Sequence, residues 1–412
     1  MKKKRVAVIG AGISGLSALH ELAKISDIDA HLYESSQRVG GRIYTSNAGG
    51  ERIELGASYF HGYYYSLREL IKEFGLGERL KSYEAKKTGF LLNDGIVTLD
   101  NKGIILSLLS GKLYPKDVVS LFKLKRKAKA QAVEGYTALE YYWYFNDLEF
   151  MDILEWFPLT KKGYSKSFRG FFYSLGKRIR EYFVRPFVVS TLCAEPEEIN
   201  EAVGKAVFIP TVTDIYTLEE GMDSLPKKIY EAYRDRISLE TPVEKIEFLD
   251  GKYGIATPMG EEEFDFVISA VPLPKLAEIF KDVKDQCKIK YGSSMEAVVR
   301  GNLKNKYKKV DSLFIGEGNS GITHISKKGK NLYKVSAYTK NPQFEDFFTD
   351  YEIVESVEWK HALPVVSTLE QIPRMVDERF DRFYKVGDFS LPCMEMSSIT
   401  GRKAALDIAK RF

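Results

Sequence analysis

The chain has 412 residues, which is enough for two or three domains with a sizeable core. Apolar residues make up 44% and charged residues 29%, a composition typical of a folded globular protein and not of a disordered one. A net charge of +4 is too small to indicate nucleic-acid binding. The three cysteines are far apart and form no cluster with histidine, so we expect neither a metal site nor a disulfide framework.

The start of the chain bears on where the protein works. Residues 1–5 are basic and lead directly into a strand pattern, without the apolar stretch and cleavage site of a signal peptide. No apolar run approaches the roughly 18 residues of a membrane-spanning helix. We therefore expect a cytoplasmic protein. Abundant Lys, Glu, Tyr and Ile with scarce Cys and Gln are a compositional hint of a thermophilic source.

The first 34 residues predict a βαβ unit. Residues 5–9 form a short apolar run typical of a buried strand, residues 13–25 have helical periodicity, and residues 30–34 predict a second strand. A glycine-rich turn, Gly-Ala-Gly-Ile-Ser-Gly, joins the first strand to the helix. This is the position in which such a turn binds the pyrophosphate of a dinucleotide.

Each part of this turn has a separate role in that interpretation. Gly10 permits the tight turn, Gly12 lets a phosphate approach the backbone, and Gly15 lets the helix pack on the strand. The N-terminus of the helix offers free N–H groups to the phosphates. Glu34 closes the second strand, 19 residues after Gly15, where it is placed to accept hydrogen bonds from the adenosine ribose hydroxyls.

The rest of the chain predicts two domains that are interleaved. Residues 104–190 are helical in pattern and rich in aromatic side chains, and strand patterns then return. The predicted strands span residues 242–249, 264–271, 293–303, 310–316 and 332–338. Residues 397–412 predict a final helix with Ala405, Leu406, Ala409 and Phe412 on one side.

Several motifs together resemble one family. The segment from Glu34 to Gly40-Gly41-Arg42 resembles the flavin-containing amine oxidase superfamily, which also includes protoporphyrinogen oxidases and phytoene desaturases. The resemblance continues in the family's order at residues 54–62, 221–226, 241–243, 265–272, 359–364, 387–388 and 400–402. It therefore extends along most of the chain.

This resemblance implies a fold and a cofactor. The fold is α/β, with a Rossmann-like FAD-binding domain interleaved with an α+β substrate-binding domain. The FAD-binding domain comprises residues 1–61, 206–286 and 360–412, and the substrate-binding domain comprises residues 62–205 and 287–359. FAD binds non-covalently. The cofactor-binding residues are Gly10, Gly12, Ile13, Ser14, Gly15, Glu34, Ser35, Gly41, Arg42, Gly56, Ala57, Ser58, Val243, Gly387, Asp388, Met396 and Ser397.

The resemblance also assigns individual roles. Arg42 lies near the pyrophosphate and Asp388 holds the ribityl chain. Residues 56–58 pass the flavin ring, and Val243 contacts adenine through its backbone. A helix N-terminus near residues 396–397 stabilises the negative charge that flavin gains on reduction.

Three departures from the family bear on the substrate. The stretch Ser293–Val298 lacks the lysine that amine oxidases place near flavin N5. Cys393 replaces an aromatic residue of the monoamine-oxidase amine site, and Met396 stands where the family has glycine. These differences weaken the amine-oxidase interpretation, whereas His61 matches a histidine of polyamine oxidases.

The predicted function is therefore an FAD-dependent oxidoreductase that removes hydride from an organic substrate to flavin N5. The small-molecule substrate is either a largely apolar carbon skeleton, protoporphyrinogen-like or isoprenoid-like, or an amine, as in a polyamine-type oxidase. The electron acceptor, oxygen or a quinone, is left open. A non-catalytic prenyl- or lipid-binding protein of the same fold is the alternative from another class, although the intact cofactor motifs argue against it.

Two side chains and one surface complete the candidates. His61 is a substrate hydrogen-bond partner or proton acceptor, or a structural residue of its turn. Cys393 is a thiol facing the flavin or a small apolar filler. Residues 161–189 hold eight basic residues with interleaved aromatic residues, which indicates either a peripheral membrane contact or a solvated helix face.

Overall fold

The computed structural model of the protein describes residues 3–83, 87–93, 95–208, 213–316, 320–339, 341–376, 379–380 and 382–412, with Asn101 described by its backbone alone. Its α-helices are α1 (Ile13–Ala23), α2 (Tyr65–Glu73), α3 (Asn101–Leu109), α4 (Pro115–Tyr144), α5 (Phe150–Leu154), α6 (Pro158–Tyr164), α7 (Phe168–Tyr173), α8 (Lys177–Ile179), α9 (Arg185–Leu192), α10 (Glu201–Ala206), α11 (Ser224–Ala232), α12 (Leu273–Ile279) and α13 (Met394–Ala409).

The β-strands are distributed along the whole chain. They are β1 (Lys4–Ile9), β2 (Ile28–Tyr33), β3 (Thr45–Ala48), β4 (Glu51–Glu54), β5 (Phe60–His61), β6 (Leu80–Ser82), β7 (Thr88–Leu92), β8 (Gly95–Thr98), β9 (Ile215–Leu218), β10 (Ile237–Ser238), β11 (Lys245–Leu249), β12 (Lys252–Thr257), β13 (Gly260–Phe264), β14 (Phe266–Ser269), β15 (Lys290–Leu303), β16 (Ser312–Ile315), β17 (Ile322–Gly329), β18 (Leu332–Ala337), β19 (Phe348–Val365) and β20 (Phe383–Lys385).

A parallel sheet organises the cofactor half of the molecule. Its five strands lie in the order β10-β2-β1-β14-β20, and every neighbouring pair is parallel. Residues 6–9 of β1 and 266–269 of β14 are buried throughout, as expected when both faces of a parallel sheet are covered. The sequence β1, α1, β2 confirms the predicted βαβ unit.

A second, mixed sheet supports the other half. Its seven strands lie in the order β19-β15-β18-β17-β16-β7-β8, with β16 and β7 parallel. Helices α4 to α10 pack beside it around a large core in which Tyr142, Phe168, Phe172 and Ile179 are fully buried. In the chain, β7 and β8 precede the helical region, and β15 to β19 follow it. The protein therefore has the predicted α/β fold.

Two predicted strands differ from the structure in their bounds. The segment predicted at 242–249 forms a strand only from Lys245, because residues 240–243 run alongside residues 34–36 instead. The segment predicted at 264–271 is interrupted at Asp265, whose carboxylate accepts the backbone N–H of Arg5 at 2.9 Å. Phe264 therefore ends one sheet, and β14 begins in another at Phe266.

The final helix begins earlier than its hydrophobic pattern predicts. It starts at Met394, because the sulfur of Cys393 accepts the backbone N–H of Met396 and caps the helix. Its buried face is formed by Ala404, Ala405 and Ile408, so the predicted face was partly wrong. Phe412 lies beyond the helix and its side chain is 53% exposed.

Helices α1 and α13 cross at very close range. A Cβ atom added to Gly401 would lie 2.0 Å from the carbonyl oxygen of Ser14, so only glycine permits this approach. The hydroxyls of Ser17 and Ser398 meet at 3.5 Å in the same contact. The crossing brings the N-termini of both helices to the same end of the parallel sheet.

A second contact fixes α13 against α2. The buried carboxylate of Glu395 accepts the backbone N–H groups of Ser66 and Leu67, at 2.8 and 2.9 Å, and so caps the first turn of α2. The start of α13 is thereby held from two sides. Among the described residues, no helix is long and apolar enough to cross a membrane.

The helix crossing gives a stability prediction. Because the added methyl of Gly401→Ala would overlap the Ser14 carbonyl, we expect the variant to lose about 2–3 kcal/mol of unfolding free energy. Urea unfolding followed by circular dichroism measures this loss. Gly170→Ala, in α7, is the control: its Cβ meets nothing within 4 Å, so the same change there should be neutral or stabilising. Equal stability of the Gly401 variant and wild type would contradict the proposed constraint.

Candidate functional site

One cavity of about 1750 Å³ runs between the parallel sheet and the helical region. Single-ligand pockets are commonly about 300–1,000 Å³, so this cavity can hold a large cofactor and a substrate together. At one end it is lined by Gly10, Gly12 and Glu34, and at the other by side chains of the helical region. The two ends therefore differ in the kind of ligand that they can bind.

The glycine turn forms the wall of the first end. Gly12 is the N-cap residue of α1, and a Cβ atom added to it would meet nothing within 4 Å. Its backbone therefore faces open space at a helix N-terminus, which is the arrangement that binds phosphate. Gly10 has φ +100° and Gly15 would clash with the Gly10 carbonyl if it carried a side chain, so both glycines are required for the turn.

A second glycine turn packs against the first. The N–H of Gly40 donates to the carbonyl of Ala11 at 2.8 Å, and Gly41 has φ +54° with its Cβ position 3.1 Å from the Cα of Gly12. The two turns thus leave main-chain atoms, and no bulky side chain, on this part of the wall. Ile13 and Ser14, in the first turn of α1, also line the cavity.

Glu34 is held in place by backbone donors. Its carboxylate accepts the N–H of Ala11 at 2.7 Å and the N–H of Ser36 at 2.8 Å, and the hydroxyl of Ser35 at 3.3 Å. Oε1 accepts the two bonds from Ser35 and Ser36, whereas Oε2 accepts only that of Ala11 and keeps a lone pair that a ribose hydroxyl can use. The N–H of Thr241 donates to the Glu34 carbonyl, which brings Val243 to the same stretch of cavity wall.

Arg42 and Asp388 form an ion pair on the wall. Their two contacts measure 2.7 and 3.0 Å, and Arg42 also donates to the carbonyl of Ala362 at 2.7 Å. Burial acts to lower the pKa of Arg42, but the Asp388 carboxylate outweighs it and raises the pKa above its ordinary value. Both residues line the cavity beside Gly387, and their separate roles toward pyrophosphate and ribityl remain predictions.

Residues 56–58 form the next part of the wall. Gly56 lies so close to the Arg42 carbonyl that an added Cβ would be 1.9 Å from its oxygen, and Ala57 donates to the same carbonyl at 3.1 Å. The hydroxyl of Ser58 donates to the Gly56 carbonyl at 3.0 Å. The segment is thereby tied to Arg42 and runs along the cavity.

A buried ion pair that the sequence analysis missed lies beside Ser58. Lys334 Nζ is 3.2 Å from the carboxylate of Glu296 and donates to the hydroxyl of Ser58 at 3.3 Å. The hydroxyl of Ser336 donates to the carboxylate of Glu296 at 2.7 Å. Both charged side chains are nearly buried, with exposures of 12% and 11%.

The position of Lys334 explains why the sequence analysis missed it. The expected lysine was sought within Ser293–Val298 of β15, but Lys334 is on the neighbouring strand β18, directly opposite Val298. Lys334 and Ser336 are polar residues two positions apart in an otherwise apolar strand, so their side chains share one face. That alternation is the signal that could have found them.

His61 lies at the junction between the two ends of the cavity. It is buried, and its Nδ1 atom is 3.2 Å from the hydroxyl of Thr213. Its ring stacks on Tyr63 with a centroid distance of 5.0 Å. Burial lowers the pKa of His61 to about 4, so the imidazole is neutral near pH 7 and can accept or donate a hydrogen bond there.

Cys393 is also on the cavity wall. Burial raises the pKa of its thiol to about 12, so the thiol is protonated and is not a nucleophilic thiolate. Met396 points away from the cavity and is fully buried in the core of the helical region, so its side chain does not fill the place of the family's glycine. Ser397, one residue later, does line the cavity.

The far end of the cavity is mainly apolar. It is lined by aromatic and aliphatic side chains, among them Leu139, Phe150, Phe187, Val207 and Phe314. Gln131 and Thr160 also line it and bond to each other at 3.1 Å. This end can therefore accommodate a hydrocarbon-like ligand.

The segment 161–189 does not present the apolar face that membrane contact requires. Its aromatic residues Phe168, Phe171 and Phe172 are buried in the core. Lys161, Arg180 and Arg185 form ion pairs within the chain, so part of the basic charge of the segment is neutralised there. The solvated-face alternative fits this segment better.

The sequence profile of the family described as "Flavin containing amine oxidoreductase" matches residues 13–298, more than half of the chain. Farnesylcysteine lyase of Arabidopsis thaliana is 22% identical over 470 residues, covering 99% of this chain and 88% of that protein. Polyamine oxidase 1 of Oryza sativa subsp. japonica is 48% identical over 63 residues, but this match covers only 15% of this chain and 12% of that protein.

The fold has a close counterpart among solved structures. Cyclohexylamine oxidase from Brevibacterium oxydans IH-35A superposes with a TM-score of 0.70 at 16% identity, covering 99% of each chain. At this identity the likeness concerns the fold alone. This likeness agrees with the predicted two-domain α/β fold of the amine-oxidase type.

The open space at Gly12 gives a binding prediction. Gly12→Val adds a side chain whose Cβ atom meets nothing within 4 Å and which occupies the space beside the helix N-terminus. We expect the variant to bind little or no flavin. Its thermal midpoint should equal that of the wild-type protein from which flavin has been removed. The ratio of absorbance at 450 nm to that at 280 nm after purification measures the flavin content. Gly12→Ala should give an intermediate value. Full flavin content in the valine variant would show that this turn is not the phosphate site.

Proposed function

The chain belongs to the flavin-containing amine oxidoreductase family, and we propose that it is an oxidoreductase that takes hydride from a largely apolar, uncharged substrate, with FAD bound non-covalently. When bound, FAD supplies the hydride acceptor at N5. The chain's own residues hold the cofactor, orient the substrate and exclude water.

The residues at the first end of the cavity fit FAD. Gly12 and the N-terminus of α1 offer backbone N–H groups for the pyrophosphate. Glu34 is positioned for a ribose, and Arg42 and Asp388 lie further along the same wall. A cavity much larger than a single-ligand pocket leaves room for a substrate beyond these residues.

The partners of the acidic residues carry the substrate assignment. Among the described residues that line the cavity, five are acidic: Glu34, Asp100, Glu296, Glu358 and Asp388. Glu34 and Asp100 bond to backbone N–H groups, Glu296 pairs with Lys334, and Asp388 pairs with Arg42. Glu358 also has a partner.

Of these, Glu296 and Asp388 are neutralised by Lys334 and Arg42, whereas Glu34 keeps its charge at the cofactor end and Asp100 keeps its charge at an exposed position. An ammonium group at the apolar end of the cavity would therefore be buried without a counter-charge, which is costly. An uncharged substrate with a long apolar part meets no such cost, and it buries its surface against Leu139, Phe150 and Phe187. The full-length similarity to a farnesylcysteine lyase supports an isoprenoid-like substrate among the apolar candidates.

Neutral His61 suits this proposal. We assign it as a hydrogen-bond partner or proton acceptor for the substrate, at the junction between the cofactor end and the apolar end. Cys393, as a protonated thiol, would contact the bound ring system as a small polarisable group. Neither residue carries a charge at neutral pH, in keeping with an uncharged substrate.

A polyamine-type amine oxidase is the second candidate. The local similarity to a polyamine oxidase and the stacked His61–Tyr63 pair favour it, since aromatic rings can surround an amine. The two candidates differ in the charge of the substrate. An amine could also bind as its uncharged base, but this form is abundant only at alkaline pH.

Anaerobic titration separates the candidates. Purified protein should be yellow, and acid precipitation should release its flavin to the supernatant as FAD. We expect bleaching near 450 nm with an uncharged isoprenoid thioether such as farnesyl methyl sulfide or with a porphyrinogen as its methyl ester, and none with a polyamine or cyclohexylamine below pH 8. Bleaching by the polyamine alone would favour the second candidate. Colourless fresh protein would favour a non-catalytic prenyl- or lipid-binding protein.

The Lys334–Glu296 pair gives a further prediction. A positive charge near the flavin stabilises its reduced, anionic form, and Glu296 partly cancels the charge of Lys334. We expect Glu296→Gln to raise the midpoint potential of the bound flavin and Lys334→Met to lower it. Spectroelectrochemical titration measures both shifts. Lys360→Met, another cavity-lining lysine, is the control for a general charge effect.

Opposite shifts in the two variants would place the pair next to the redox centre. Unchanged potentials in both, with normal flavin content, would contradict that position. Reduction of oxygen builds localised negative charge beside the flavin, and the paired Lys334 does little to stabilise it. A quinone delocalises the added charge over its own ring and oxygens and depends less on a nearby cation, so we propose a quinone in preference to oxygen as the electron acceptor.

A further inference from the structure

The outward face of the long helix α4 carries exposed apolar side chains. Val119, Phe122, Val133 and Tyr144 lie on the side opposite the buried stripe formed by residues such as Leu124 and Ala128. Phe122 is 70% exposed. A helix of 30 residues is about 45 Å long, so this apolar stripe extends across much of one side of the molecule.

The preceding helix α3, which leads directly into α4, also carries exposed apolar side chains. Ile105, Leu106 and Leu109 are exposed, and the side chain of Leu109 is 80% exposed. The connection to α4 is short and folded, because the N–H of Leu113 donates to the carbonyl of Ser107 at 3.0 Å. Soluble proteins rarely expose so many large apolar side chains on consecutive elements unless another surface covers them.

The far end of α4 carries aromatic side chains. Tyr141, Phe145 and Trp156 touch one another, with ring centroids 5.4 to 6.2 Å apart, and each is exposed by 40% or more. Tyrosine and tryptophan are the residues that accumulate at the boundary between water and lipid. They flank the apolar stripe at the end opposite α3.

The charge of this surface identifies what could cover it. Between residues 102 and 129 there are eight basic residues: Lys102, Lys112, Lys116, Lys123, Lys125, Arg126, Lys127 and Lys129. Asp117 is the one acidic residue of this range, and it is buried and bonded to the N–H of Tyr114 at 2.8 Å. Apolar side chains flanked by uncompensated lysines match an anionic lipid surface.

A second copy of the chain is a poorer match. A two-fold contact through this face would place the same basic residues opposite one another, and like charges in a desolvated contact oppose association. Anionic lipid headgroups instead neutralise the lysines while the apolar side chains enter the boundary of the acyl region.

We infer that the surface formed by α3 and α4 docks the protein on anionic lipid bilayers as a peripheral protein. The cavity opens next to this surface, because Thr98, Leu99 and exposed Asp100 line the cavity and directly precede α3. If the proposed function also holds, a lipid-dissolved substrate enters there. The docking itself does not depend on the reaction.

Vesicle binding tests the inference. We expect the flavin-loaded protein to sediment with phosphatidylserine/phosphatidylcholine vesicles and not with pure phosphatidylcholine vesicles, and to be released as salt rises. Leu109→Asp/Phe122→Asp should reduce the partition coefficient about tenfold or more, and Lys125→Glu/Lys127→Glu should reduce binding to anionic vesicles by a similar factor.

Matched changes on the β11–β13 hairpins serve as controls. Met259→Asp replaces an apolar side chain that is 85% exposed, and Lys245→Glu/Lys252→Glu reverses two exposed lysines of the same sheet. Both should bind vesicles as the wild type does. Flavin content and thermal midpoint should be unchanged in all variants, since the altered side chains are exposed.

Three results would overturn the inference. They are absence of wild-type binding to anionic vesicles, equal binding to neutral vesicles, and wild-type binding by the Leu109/Phe122 variant. Light scattering provides a fourth such result. A dimeric wild type together with a monomeric Leu109/Phe122 variant would assign the face to a second copy of the chain. Vesicle binding without any substrate-dependent bleaching would leave the docking intact and contradict the proposed function.

Discussion

The close crossing of α1 and α13 is the constraint on which the site depends. At Gly401 the backbone of α13 reaches the carbonyl of Ser14, so a helix from each end of the chain is fixed against the other. Glu395 then ties the start of α13 to the first turn of α2. Two helix N-termini therefore reach one cavity, one at Gly12 and one at Cys393–Ser397, and a helix N-terminus favours negative charge.

The charges of the cavity are satisfied mostly within the protein. Arg42 pairs with Asp388, Lys334 with Glu296, and Glu34 is fixed by backbone donors. Such pairs contribute little net stability, because desolvation offsets much of their attraction, but they fix geometry. His61 and Cys393 add no charge near pH 7. Under the proposed function, selectivity at the apolar end depends on shape and apolar contact.

Local sequence patterns predicted the parts of the fold that depend on local chemistry. The strand, glycine turn and helix at residues 4–23 were confirmed because their spacing is set by backbone geometry alone. Lys334 could not be found in this way, since its place beside Ser58 depends on the register of β15 and β18. The start of α13 was missed because its cap is a cysteine. Both alternatives for residues 161–189 placed their aromatic side chains at a surface, but tertiary packing buries Phe168, Phe171 and Phe172 and leaves Tyr173 exposed.

The two ends of the cavity are built from different kinds of atoms, and this difference accounts for how the chain resembles its relatives. The cofactor end is formed by main-chain atoms at Gly12, Gly41 and Gly56, where any side chain would block a close approach or fill the binding space. Few substitutions are compatible with this close approach, and the chain has glycine at all three positions although it is only 16% identical to a protein of the same fold. The substrate end is formed by side chains of the helical region, such as Leu139, Phe150 and Phe187, and volume-conserving apolar changes in such walls have small costs. The substrate can therefore change between members of this family while cofactor binding does not, which is why the cofactor is readable from motifs and the substrate must be argued from the chemistry of the cavity wall.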